Sequence, residues 1–277
     1  MEFIELAELC DKGSSNLVQK DLVFDSGIYP VYGAAGEITK VDFFHQSKPY
    51  LGLIKDGAGV GRVMKLPANS SVIGTIQYLF PRENVDLKYL YYLIKYLDLG
   101  KSNTGATIPH IYFKDYKKRK VKVKSYSEQT HIGKIFELLD MQLNTYKNTL
   151  KQYNLLVKSR FVEMFGDIRE RGRFKVKKWK DVVDIFNGKD YKTVQVDIGG
   201  YPVYGSGGII ARASEYICPA KTIIIGRKGS INNPILVNEK FWNVDTAFGI
   251  VPKETINTNY LFYFCKQYNF NHLNKAT

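Results

Sequence analysis

The chain has 277 residues, with 40 Lys and Arg against 27 Asp and Glu, a net charge of +13. Its 44% hydrophobic content exceeds what a disordered chain carries, and its length predicts two domains. No apolar run approaches the roughly 18 residues of a membrane span, and no signal-peptide apolar region opens the chain. Cys10, Cys218 and Cys265 are too few and too scattered for a disulfide framework or a zinc site, so a reducing cytoplasm is the expected location.

Residues 1–107 are almost neutral, with 11 basic and 12 acidic side chains. Here the β-branched and aromatic runs 49–54 and 71–80, punctuated by Gly, Pro and Asn, predict strands. Between them lies Asp56-Gly-Ala-Gly-Val-Gly61. Arg62 stands where a dinucleotide fingerprint needs its third Gly, so a turn is expected and not a phosphate cradle. An amphipathic helix follows at 87–97. Residues 114–124 then hold seven Lys or Arg and one Asp.

From 127 to 165 there is no Pro, and Gly133 alone interrupts a helical pattern. Phe136, Leu143, Leu150, Val157 and Met164 recur every seven residues. Ile132, Leu139, Tyr146, Tyr153 and Arg160 recur in the same way three positions later. This is a coiled-coil seam on a helix of about 58 Å. Ser127-Glu128-Gln129-Thr130 is the expected N-cap and Gly166-Asp167 the stop. Residues 169–180 repeat the charge run, with seven basic side chains and one Glu.

The remainder echoes the start. Tyr29-Pro-Val-Tyr-Gly33 returns as Tyr201-Pro-Val-Tyr-Gly205, an offset of 172, each followed by small residues. Leu79-Phe-Pro81 matches Ile250-Val-Pro252, and Tyr89 to Lys95 matches Tyr260 to Lys266. Ala106-Thr107 matches Ala276-Thr277, and Gly13 matches Gly188 with about three residues of length difference. In the second copy, strands are expected at 222–225 and 247–251 and a helix at 259–268. An offset this long indicates two copies of one domain rather than a solenoid. The fold class is α+β: two repeated, mostly β domains, 1–124 and 168–277, joined by a long coiled-coil-type helix, 125–167.

Two matched basic runs flanking one helix form the electrostatic footprint of a polyanion binder, and neither sits on a membrane-seeking amphipathic helix. No phosphate loop, His-Glu-x-x-His or nucleophile elbow is present. His45, His110, His131 and His272 stand alone. Asn233-Pro234-Ile235 lacks the residues of an adenine methyltransferase pocket. The chain reads as a binder with no catalytic centre. The alternative is a coiled-coil scaffold with two protein-binding β-rich heads.

The layout resembles the DNA specificity subunits of type I restriction-modification systems. The resemblance rests on the repeated Tyr-Pro-Val-Tyr-Gly, on Ile225-Gly-Arg-Lys-Gly-Ser230 and Phe241-Trp-Asn-Val-Asp-Thr246, and on Gly105-Ala-Thr-Ile-Pro-His110 ahead of Ser127-Glu128-Gln129. It implies two target recognition domains, each reading half of a bipartite site in double-stranded DNA. It also implies a spacer helix that binds the modification (methyltransferase) subunits, which carry the S-adenosylmethionine, and a restriction (motor-nuclease) subunit beside them. No cofactor is expected on this chain. Family members usually carry a second helix after the second recognition domain, which this sequence does not include. Self-association, or pairing with another half-subunit through the spacer helix, is therefore a further expectation.

The candidate DNA-binding residues of the first copy are Tyr32, Lys55, Asp56, Arg62 and Asn69, with Lys117, Lys118, Arg119 and Lys120 from the basic run. Those of the second are Tyr204, Ser206, Arg227, Lys228, Ser230 and Asn232. Arg and Lys can address guanine, and Asn adenine. The loops differ between copies, Lys55-Asp-Gly-Ala-Gly against Arg227-Lys-Gly-Ser-Ile, which predicts an asymmetric site. The candidate partner-binding residues are Ile132, Phe136, Leu139, Leu143, Tyr146, Leu150, Tyr153 and Val157.

Overall fold

The computed structural model describes residues 3–102, 108–167, 174–227 and 231–273. It forms two compact units, Met1–Tyr146 and Lys147–Thr277, divided within one long helix.

The first unit contains strands β1 (Phe3–Glu5), β2 (Cys10–Gly13), β3 (Tyr29–Gly33), β4 (Gly36–Val41), β5 (Tyr50–Ile54), β6 (Val63–Leu66), β7 (Ser71–Val72) and β8 (Ile76–Pro81). Helix α1 (Leu87–Leu97), the short α2 (Phe113–Tyr116) and β9 (Lys120–Lys122) follow. Strands β2, β8, β5 and β6 form one antiparallel sheet in that order. Strands β4, β3 and β7 form a second, in which β3 and β7 run parallel. The central strand β5 is buried along its whole length because both of its faces are covered. Leu51 and Leu53 pack with Leu90 and Ile94 of α1, whereas Tyr50 and Ile54 pack with Val72, Ile76 and Tyr78. This period-two division is what a strand buried on both faces requires.

The second unit begins with the last turns of helix α3 (Tyr126–Phe165) and continues through α4 (Trp179–Val182), β10 (Val183–Asn187), β11 (Gln195–Val196), β12 (Tyr201–Gly205) and β13 (Gly208–Ala213). Then come β14 (Thr222–Gly226), β15 (Ile235–Val237), β16 (Trp242–Asn243), β17 (Ala247–Pro252) and α5 (Thr258–Gln267). Its sheets run β10-β17-β14-β15 and β11-β13-β12-β16, the order of the first unit with β11 added at one edge. The repeat extends to irregularities: a register shift falls between Val31 and Tyr32 in one copy and between Val203 and Tyr204 in the other.

The register corrects several expectations. Cys10 pairs with Pro81 and Val183 with Pro252, so Gly13 is equivalent to Phe186 and not to Gly188. The run 71–80 is two strands, not one. β7 adds to the small sheet, the chain turns at Gly74, and β8 enters the large sheet. Helix α5 starts one residue early because Asn257 caps it, accepting from the backbone N–H groups of Asn259 and Tyr260. The matched pairs Ala106-Thr107 and Ala276-Thr277 lie outside the described residues.

Helix α3 is 40 residues long, about 60 Å at 1.5 Å per residue. Its cap is Ser125, two residues before the expected one. The Ser125 hydroxyl accepts from Glu128 N–H, and the Glu128 carboxylate accepts from Ser125 N–H at 3.0 Å, a capping box. Gly133 is where α3 touches α1: a Cβ there would lie 2.9 Å from Asp86 Oδ1 and 3.1 Å from Tyr89 N. Around it, Gln129 is buried. Its amide oxygen accepts from Asp86 N–H at 3.0 Å, and its NH2 donates to Lys124 O at 2.9 Å. Glu137 accepts from Lys65 and Lys88, and the Tyr92 hydroxyl donates to Asp140 at 2.8 Å. In the second unit the same helix is held by aromatic rings. Phe161 stacks on Tyr260 at 5.7 Å, and Phe165 meets the same ring edge-on at 4.9 Å.

Candidate nucleic-acid interface

The basic run of the first unit is fastened by its backbone and apolar side chains, which leaves its charges outward. Leu6 N–H donates to Arg119 O and Ala7 N–H to Lys117 O. Tyr116 and Val121 are buried, and the Tyr116 hydroxyl donates to Gln77 Oε1 at 2.5 Å. Lys118, Arg119 and Lys120 are exposed and Lys117 is half-buried. The Arg119 guanidinium donates to the Ser102 hydroxyl. Of the second run, Lys175, Lys177 and Lys178 are exposed, while Arg169, Arg171 and Arg173 lie outside the described residues.

Three of the five predicted readers of the first copy, Lys55, Asp56 and Arg62, lie on the loop between β5 and β6, whereas Tyr32 packs against the core cluster that holds Tyr50. Lys55 Nζ lies 3.8 Å from Asp56 Oδ2. The Arg62 guanidinium donates to Ala34 O, in the hairpin that follows Tyr32. The loop closes on itself, with Ile54 N–H donating to Arg62 O and Gly61 N–H to Ile54 O. Gly61 adopts φ +83°, and a Cβ there would fall 2.1 Å from Gly100 N, so only glycine fits this close approach. Asn69 is not part of the group. It sits at φ +54° in the turn after β6, at the far end of that strand from Arg62.

In the second copy, Arg227 lies over the Phe248 ring, 4.5 Å from its centroid, and reaches Asn187 Oδ1 at 3.5 Å. Ser206 occupies the β12–β13 turn, next to Tyr204, whose ring meets Phe241 edge-on. Burial pushes the Tyr32 and Tyr204 phenols up, with Glu37 and Glu239 adding to the effect. Asn232 is engaged otherwise. Its NH2 donates to Asn271 Oδ1 at 2.8 Å and its oxygen accepts from Phe270 N–H at 2.8 Å, which clamps the chain after α5. Lys228 and Ser230 lie outside the described residues.

Two residues have roles that their sequence context does not announce. Gln129, expected within a cap, is a buried bridge between helices. His110, expected to stand alone, pairs through Nδ1 with Asp56 Oδ1, and a β-bridge joins the two backbones. The three thiols are inert fillers: burial raises Cys10, Cys218 and Cys265 to about 12.

The seam of α3 is open over its middle. Leu139, Leu143, Tyr146, Leu150, Tyr153 and Val157 are all exposed, Tyr146 to 70%. They lie roughly a third of the way round the helix from Gly133, Glu137 and Asp140, the face that meets α1. Ile132 is half-buried and Phe136 lies against Tyr92, with ring centroids 5.1 Å apart. Arg160, a seam position, pairs with Glu163 on its own helix. No described helix is long and apolar enough to cross a membrane.

The described residues thus combine a duplicated pair of β-sheets, a long helix with an open apolar stripe and outward-facing lysines. The comparisons give the chain a family. The model of the type I restriction modification DNA specificity domain matches residues 1–153 and 172–277, and the chain belongs to that family. Specificity subunits of these systems are non-catalytic. A Mycoplasma genitalium protein named as a type I specificity subunit is 26% identical over 177 residues, 62% of this chain. The match spans 46% of that protein, so the chain accounts for about half the length of its curated relative. The crystal structure of a type I restriction-modification S subunit from M. genitalium shares the fold. Its TM-score is 0.69 at 18% identity, over 99% of this chain and 78% of the other.

Proposed function

We propose that the chain reads a bipartite, asymmetric site in double-stranded DNA for a type I restriction-modification complex. Residues 1–124 and 168–277 act as target recognition domains and 125–167 as the spacer. The observation that carries this reading is the duplicated sheet frame with unlike loops: Lys55, Asp56 and Arg62 at one β-hairpin, and Arg227 at its counterpart. Affinity comes mainly from lysines on phosphates, and specificity from side chains on base edges. A helix of about 60 Å caps the half-site separation near ~17 base pairs, and one helical turn, ~34–36 Å, puts both heads on one face of the duplex.

The open seam of α3 docks the modification subunits, which bring S-adenosylmethionine and the adenine chemistry. The motor-nuclease subunit joins that assembly. Without them, the same stripe supports self-association or pairing with another half-subunit, because a large exposed apolar stripe is an association surface. Mapping methylated adenines in DNA modified by the reconstituted complex tests the whole reading. Two short half-sites of different sequence at a fixed spacing are expected. Loss of salt-dependent duplex binding altogether would instead favour a protein-binding scaffold.

A further inference from the structure

The loop 55–62, on which the reading of the first half-site depends, is gripped from outside by the strand-like segment 109–111. Gly57 N–H donates to Pro109 O at 3.0 Å, and Ile111 N–H donates to Lys55 O at 3.0 Å. Between these two bonds Asp56 and His110 form a β-bridge, and their side chains meet, Nδ1 against Oδ1. The other oxygen of Asp56 faces Lys55 Nζ at 3.8 Å. Tyr112 stands edge-on to the imidazole with ring centroids 4.0 Å apart, and Lys114 Nζ lies over the Tyr112 ring at 5.0 Å. The imidazole and the Asp56 carboxylate are both about a quarter exposed, so the pair is shielded without being sealed.

This geometry removes Asp56 from the set of free base readers, since its Oδ2 faces the Lys55 ammonium and its buried Oδ1 is covered by the His110 imidazole. It leaves Lys55 and Arg62 as the side chains the loop can present. We infer that His110 is a positioning residue for recognition of the first half-site: through Asp56 it fixes the backbone of 55–62, and with it the direction in which Lys55 and Arg62 point. Three glycines of that loop, Gly57, Gly59 and Gly61, have positive φ, so the loop has unusual backbone freedom that an outside contact must restrict. Such restriction fixes geometry before binding and lowers the ordering cost of association.

The inference rests on the reading that loop 55–62 faces the first half-site, and two readouts on the full chain keep the two ideas apart. The first is amide hydrogen exchange across 55–62 without DNA. His110→Ala is expected to speed it at least tenfold. His110→Asn, whose side-chain amide can stand where Nδ1 stands, is expected to return it to within threefold of the native rate. The second is selection from a pool of random-sequence duplexes. His110→Ala is expected to lose sequence preference in one half of the enriched motif and keep the other, with the Asn variant restoring it. Unchanged exchange in His110→Ala would overturn the positioning role whatever the DNA shows. Faster exchange with an unaltered motif would leave the lock as a matter of stability and refute its part in recognition. Loss of preference in both halves at once would also refute it.

Discussion

Lys88 Nζ donates a 2.5 Å hydrogen bond to Glu137 Oε2, joining helix α1 to helix α3 within the first unit. Lys65 Nζ reaches the other oxygen of the same carboxylate at 3.1 Å. These two ammonium groups hold the Glu137 carboxyl below its ordinary 4.5. A carboxylate whose pKa is lower folded than unfolded adds stability at neutral pH and loses that contribution as the pH falls through the folded value. The group is open to water, so the pairing is worth under about 1 kcal/mol. Glu137→Gln is expected to lower the urea midpoint slightly at pH 7, and the gap from the native chain should close as the pH drops below 4.5. A gap that stays constant with pH would count against the pairing.

Gly133→Ala should destabilise the first unit. Alanine gains about 1 kcal/mol over glycine in an open helix. Here the new methyl would press on Asp86 Oδ1, the N-cap acceptor of α1, and on the backbone of Tyr89. Overpacking of this kind costs ~1–3 kcal/mol. The expected net loss of up to about 2 kcal/mol is read from denaturant unfolding. A stabilised variant would mean that the two helices separate readily.

Replacing Lys117, Lys118, Arg119 and Lys120 with Ala should weaken binding to every duplex about equally. It should also flatten the dependence of affinity on salt, by ~0.9 in log–log slope for each phosphate that is no longer neutralised. Titrations at several salt concentrations measure both. Affinity reduced for one sequence alone would make these residues base readers.

Leu143→Asp with Leu150→Asp should leave the fold intact, because both side chains are exposed and such substitutions change stability by roughly 0.5 kcal/mol or less. Analytical ultracentrifugation should show self-association of the native chain, displaced by the modification subunit and abolished in the variant. A native chain that is monomeric at every concentration, with modification-subunit binding untouched by both changes, would remove the seam from the assembly.

Helices are the most legible elements. Helix α1 lies where its amphipathic pattern puts it, because Asp86 caps it and the apolar face has a sheet to cover. The cap of α3 falls two residues before the expected one because Ser125 and Ser127 are chemically alike, and only Ser125 has Glu128 three positions on. The break between β7 and β8 is marked only by Gly74-Thr75, which a single strand can also hold, and both strands are largely buried although in different sheets. Matching Gly13 with Gly188 relies on residue type, whereas equivalence is set by which residue each faces across the sheet. In the candidate site, the grouping of Lys55, Asp56 and Arg62 follows from one glycine-rich loop. The clamp at Asn232 and the pairing of His110 with Asp56 span 38 and 54 positions in the chain, and no local pattern announces them.

Helix α3 is gripped near one end by charges and amides beside the Phe136–Tyr92 ring contact, and near the other by aromatic rings. The ion pairs of the first grip weaken in concentrated electrolyte, whereas the second grip strengthens under ions that promote apolar burial. A rise in sulfate would therefore weaken the charged part of the first unit's hold on the helix while tightening the second unit's hold. The two heads share a scaffold but not a solvent response, and their firmness can be tuned one at a time.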